Sequence, residues 1–300
     1  MFWIIATILS YFFYSLASLG DKIILAGPAK PKEYTFTVGL FSILVVLMIP
    51  FVSFGFPNGI QWLWIVLEGI VYVLGLYCLF AALDRFDVSR VVPTIGASQP
   101  IFIFILTCLF WGIQVLKTNE VLAFVMLLIG SVVVSMDKDS DISKDFVKLS
   151  FIASILFSLD FIFSKLIFLE MPFWQGFIWM RIVSFLFVIV FLFNKKFRKE
   201  YFNSNSGGLG KNNVFLFVTT QASGGLAMLL QSWAIALAPV AYLAIMNSMR
   251  GFQYVFLFIM TIFISYLFPK ILKEETSKNV VFQKIIAILI ICTGLFVFSM

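Results

Sequence analysis

Ten apolar runs, each long enough to cross a hydrocarbon core of roughly 30 Å, follow one another along the chain with only short polar connections between them. They lie near 3–25, 33–54, 61–83, 89–112, 118–136, 147–169, 173–194, 213–237, 239–268 and 281–299. Apolar residues fill whole segments instead of alternating, which predicts helices and not the alternating strands of a membrane barrel. The longest polar connections are 137–148, 195–213 and 269–284, too short for a soluble domain. The Gly- and Ser-rich stretch 203–210 reads as a flexible loop.

The runs fall into two sets of five. Residues 1–136 can be laid on residues 147–300, with 137–146 as the connecting loop. Ser15-Leu16 then meets Ser158-Leu159, and Lys22 meets Lys165. Gln99, Phe102 and Thr107 meet Gln253, Phe256 and Thr261; Ala123 and Gly130 meet Ala287 and Gly294. Five crossings are an odd number, so the second set enters the membrane upside down relative to the first. The expected fold is an all-α polytopic membrane protein of ten transmembrane helices, built as two inverted five-helix repeats. Inverted repeats are common in secondary transporters, whose site lies near the midplane between the halves.

Composition strengthens the membrane reading. Hydrophobic residues make up 62% of the chain and charged residues 12%, with mean hydropathy +1.06; soluble domains carry about 25% charged residues. Histidine is absent, which excludes His-ligated metals, Ser–His or Cys–His catalysis and imidazole relays. Cys78, Cys108 and Cys292 lie inside apolar runs and read as core residues. No Walker-type Gly-Lys-Ser/Thr loop is present, so no ATP hydrolysis, cofactor or metal is expected.

The net charge of +6 arises in the loops. Of the 21 Lys and Arg residues, 17 sit in the odd-numbered connections, and the even-numbered connections hold only Lys117. The positive-inside rule places the odd connections in the cytoplasm and both termini outside the cell (inner) membrane. Such loop charges serve orientation, so nucleic acid is not an expected partner; membrane lipids and a small-molecule substrate are, with the chain a monomer. The N-terminus shows no basic region of a cleavable signal peptide.

Charges at membrane depth cost several kcal/mol and are candidates for function. Arg250 lies deep in the ninth run, within Met246-Asn-Ser-Met-Arg-Gly-Phe-Gln253, and its counterpart stretch is Pro93-Thr-Ile-Gly-Ala-Ser-Gln99. Pro93 and Pro100 each remove a helix hydrogen bond and are candidate hinges. Arg250, Gln253, Asn247, Gln99, Ser98 and, on the first run, Tyr14 are the candidate substrate-binding residues. An Arg in that setting suits a carboxylate or phosphate. The alternatives are a static pair of Arg250 with Asp160 or Glu68, or a place at the lipid interface. Asp160 and Glu68 are the candidate proton carriers, and for each the alternative is a salt bridge to Arg181 or Arg250. Lys22 and Lys165 suit snorkelling to the headgroups, Lys165 with Glu170 as a possible partner. Gln221, Gln231 and Trp233 are further polar candidates on the eighth run.

Several segments resemble the drug/metabolite transporter superfamily, in particular EamA-type ten-helix transporters. Ser15-Leu-Ala-Ser-Leu-Gly-Asp-Lys-Ile-Ile-Leu25 is similar to the family's first helix, which commonly ends in Lys. The passage from Ala81 to Phe102, with Pro93 and Pro100, is similar to its third-to-fourth helix region, and Glu120 to Gly130 to its fifth. Arg181 stands where the family often carries an Arg. Val38 departs from the pattern at the corresponding place in the first half, and Tyr254 at the second Pro of the second half. The resemblance implies helices one, three and four of each half around a central cavity, with the fifth as a peripheral brace. It also implies cytoplasmic termini, opposite to the charge distribution. The expected activity is secondary transport of a small organic solute by alternating access, amino-acid-like, drug-like or otherwise metabolite-like, with an anionic solute among the candidates, and not catalysis. A membrane-embedded lipid-modifying enzyme would need an interfacial catalytic cluster, and a non-transporting scaffold a sizeable soluble part; neither is evident in the sequence.

Overall fold

A computed structural model describes residues 2–25, 31–83, 85–86, 88–112, 116–135, 144–193, 195, 198, 214–267 and 278–299. The loop 203–210 and most of the long connections lie outside the described residues. Among those described there are helices and turns and no strand. This follows from the solvent: in hydrocarbon every backbone N–H and C=O must be satisfied within the segment.

The helices in chain order are α1 (Phe2–Leu25), α2 (Pro31–Phe41), α3 (Gly59–Leu83), α4 (Val88–Trp111), α5 (Thr118–Ser135), α6 (Lys144–Glu170), α7 (Phe173–Val190), α8 (Val214–Leu237), α9 (Leu243–Ser248), α10 (Gly251–Leu267) and α11 (Lys278–Ser299). By length and composition six segments suffice to cross a membrane: Phe2–Asp21, Gly59–Leu79, Thr94–Trp111, Lys144–Glu170, Phe173–Val190 and Val240–Met260. Shorter apolar helical segments cover Phe36–Phe51, Thr118–Val133 and Ile285–Phe298. The second apolar run is not one α-helix, because α2 tightens into a 3-10 stretch over Ser42–Phe51 that contains Pro50.

The outer surface is apolar, with Phe2, Leu47, Phe51, Leu109, Phe215 and Phe263 among its exposed side chains. Inside, α1 packs along α8 and against α10, while α6 packs along α3 and against α4. The contacts at these crossings repeat. Ser15 on α1 donates to the Gln253 carbonyl at 3.0 Å, and Ser158 on α6 donates to the Gln99 carbonyl at 3.2 Å. Each also bonds the carbonyl one turn back, Tyr11 and Ser154 respectively. The seam of α5 and α11 is reciprocal too. A methyl group added at Gly130 would strike Ile291, and one at Gly294 would press on Leu127. Small residues of this kind let membrane helices approach closely. Trp3 stacks on Tyr242 and meets Phe298 edge-on with centroids 5.8 Å apart, so the start of α1 and the end of α11 lie together.

Candidate functional site

The ninth apolar run is broken. α9 stops at Ser248 and α10 starts at Gly251, with Met249 and Arg250 in a turn between them. The amides of Arg250, Phe252 and Gln253 bond three residues back, to Asn247, Met249 and Arg250. That tightening leaves the carbonyls of Met246 and Ser248 without their helical partners. Other helices supply donors: the Tyr11 hydroxyl reaches the Met246 and Asn247 carbonyls at 3.3 Å, and the Ser131 hydroxyl reaches the Ser248 carbonyl at 2.8 Å. A buried carbonyl left bare would cost roughly 1–3 kcal/mol, so these donors hold the break in place. α4, by contrast, is continuous through Pro93 and Pro100. The irregularity sought at those prolines occurs in the ninth run, which has no proline between Pro239 and Pro269. The side chain of Pro93 lies outside those described.

Arg250 projects from the break towards α4, and its Nη1 donates to Gln99 Oε1 at 2.6 Å. Its Nε is buried without a partner. Among the described residues Arg250 makes no ion pair, so the static pairing with Asp160 or Glu68 does not occur. Gly96 makes room for it: a Cβ there would collide with the Tyr254 hydroxyl and Arg250 Cδ. Gln99 is held on its other side, where Nε2 donates to the Phe157 carbonyl at 3.3 Å.

The other candidates separate. Asn247 is fully buried, and neither Oδ1 nor Nδ2 has a partner. Gln253 turns to α1, where Nε2 meets the Ser18 hydroxyl at 3.2 Å. Ser98 turns to α6, where its hydroxyl meets that of Ser154 at 2.9 Å. These two serve helix–helix contacts. Tyr14 donates to Gln231 Oε1 at 2.9 Å and stands within electrostatic reach of Arg250, Arg181, Asp160 and Tyr72. Trp233 is 46% exposed on the apolar exterior and is no part of this group.

A second charged centre adjoins the first. Glu68 on α3, fully buried, accepts from Arg181 Nη2 on α7 at 2.5 Å. The guanidinium also lies over the Tyr72 ring, 4.6 Å from its centroid, a cation–π contact. Asp160 on α6 faces the Glu68 carboxyl at hydrogen-bonding range and feels the charge of Arg181. Tyr11, Tyr72 and Ser131 were not foreseen as members of this core. Their signal in the sequence is only a polar group on an apolar helix.

Lys165 corrects an expectation. It neither snorkels nor pairs with Glu170. Its buried ammonium donates to the carbonyls of Ile235, Ala236 and Ala238 at 3.0, 3.1 and 2.6 Å. The last carbonyls of a helix lack partners and carry partial negative charge, so the end of α8 is the stronger attraction. The side chain of Lys22 lies outside those described.

No curated protein matches the chain. One solved crystal structure superposes with a TM-score of 0.66, covering 98% of this chain and 95% of its own at 15% identity, a likeness of fold alone. The charged centres therefore belong to a multi-pass membrane protein whose residues 1–136 match the EamA-like transporter family, consistent with the drug/metabolite transporter superfamily.

Proposed function

We propose that the chain is a secondary transporter that moves a small organic solute across the cytoplasmic membrane by alternating access. The observation that carries this reading is Arg250: a guanidinium at a helix break, inside an apolar bundle, with no carboxylate paired to it among the described residues. A charge at that depth is costly and persists where a ligand or a pathway uses it. Broken membrane helices turn their termini and free polar groups toward a transported solute. Arg250 and Gln99 anchor an anionic group of the solute, and Asn247 and Tyr14 line the same space. Asp160 and, after it, Glu68 carry the coupling proton.

The architecture that goes with this function is ten passes in two inverted repeats, 1–136 and 147–300, rocking about the site. The mirrored bonds Ser15–Gln253 and Ser158–Gln99, and the mirrored packing of Gly130 on Ile291 and Gly294 on Leu127, support that reading. Pro93 and Pro100 remain the proposed flexible points of α4. A thermal-stability screen of purified protein against a metabolite library tests the function, since a ligand that binds only the folded state raises its apparent stability. Hits must then accumulate in proteoliposomes under an imposed gradient. Binding without movement across the bilayer would end the transport reading.

A further inference from the structure

Glu68 and Asp160 pose a charge problem that Arg181 alone does not solve. Glu68 is fully buried; Oε1 takes Arg181 Nη2, and Oε2 receives no donor. Asp160 faces it from α6, and Asp160 Oδ1, also buried, receives no donor. The other groups that face the pair are Arg181 from α7, Tyr72 from α3 itself and Tyr14 from α1. Arg250, in the turn before α10, gives its Nη1 to Gln99 instead. An ionised carboxylate only accepts hydrogen bonds, so two carboxyls in contact are joined only if one carries a proton. With both ionised, one guanidinium would stand against two negative charges inside the bundle, and a carboxylate that shares a site with another has its ionisation strongly disfavoured.

We propose that Glu68 and Asp160 hold a single proton between them, and that this proton fastens α3 to α6 while Arg181 anchors Glu68 from α7. Proton coupling as proposed above is the reading on which this rests, but there one carboxyl alone suffices, and here neither does. The step balances simply. Binding forms one O–H bond and one O–H···O contact. Release returns the proton to water and leaves two carboxylates facing one guanidinium, so their repulsion pushes α3 and α6 apart. The proton thus acts on the helix packing itself.

Infrared spectroscopy of the purified full-length protein at neutral pH tests the assignment without any ligand. A protonated carboxyl gives its own C=O band, which moves in heavy water. We expect that band with the area of one carboxyl per chain. Both Glu68→Gln and Asp160→Asn should remove it, and Glu68→Asp and Asp160→Glu should each shift its frequency. No band in the wild type overturns the proposal. So does a band that survives either removal, or one that neither length change moves, which also covers a removal variant that fails to fold. Gradient-driven accumulation is measured separately. Accumulation without the band leaves coupling standing and the shared proton refuted; the band without accumulation does the reverse.

Discussion

Arg250 donates to the side-chain oxygen of Gln99 at 2.6 Å, and that bond ties the broken ninth run to the unbroken α4. Gln99 in turn holds the Phe157 carbonyl on α6, one turn before Asp160. Arg250 and the helix that carries Asp160 are therefore linked through one amide side chain. A ligand oxygen that captured Arg250 from Gln99 would free the amide that steadies α6.

Arg250→Lys keeps the charge and loses the planar fork. It should weaken solute binding by about 1–3 kcal/mol while the protein still folds. Isothermal calorimetry with a screened ligand measures this. Unchanged affinity would remove Arg250 from the site.

Gly96→Ala tests the same residue from the opposite helix. The added methyl has no room beside Tyr254 and Arg250. Overpacking costs roughly 1–3 kcal/mol, and it should fall on Arg250's position, so binding should drop more than thermal stability. A loss of stability with intact affinity would mean that the methyl is absorbed elsewhere.

Asp160→Asn should abolish accumulation driven by a proton gradient yet retain exchange of labelled for unlabelled solute. Exchange needs no net proton movement, so the ratio of the two rates is the diagnostic. Equal loss of both would point to a structural role.

Lys165→Met strips three carbonyls at the end of α8 of their donor. Hydrogen bonds to charged groups contribute about 1.5–3 kcal/mol each, so thermal unfolding in detergent should shift clearly downward. Lys165→Arg should recover part of the loss. A neutral Met variant would show that water replaces the ammonium.

Both termini are expected outside the cell. A reporter fused after Met300 that fluoresces only in the cytoplasm should stay dark, and one placed in the 195–213 connection should glow. The opposite pattern would reverse the orientation drawn from the basic residues.

The helices were legible because hydrocarbon demands long, self-satisfied apolar segments. The run read as 147–169 is α6, Lys144–Glu170, and that read as 213–237 is α8, Val214–Leu237. The break at Met249–Arg250 was not legible. Ser248 and Gly251 flank it, but they only weaken a helix without ending it, and the donors that stabilise the break, Tyr11 and Ser131, come from α1 and α5. Charge partners were half legible. Arg181 was an evident option for Glu68, but choosing it over Arg250 depends on how α3 packs on α7. Lys165 misled because its partners are backbone carbonyls, which no side-chain pattern announces.

Along the seam of α5 and α11, Gly130 receives Ile291 as Gly294 receives Leu127. A joint that is alike from either side behaves as a bearing. If the halves rock as proposed, tilting it one way or the other disturbs equivalent contacts, so it would favour neither inward- nor outward-facing forms. The preference between them must come from what has no mirror image. Arg250 stands opposite Gly96 where a symmetric chain would repeat itself, and Arg181 opposite Val38. The imbalance that gives transport a direction would then reside in a handful of charges, and the scaffold would supply only the freedom to turn.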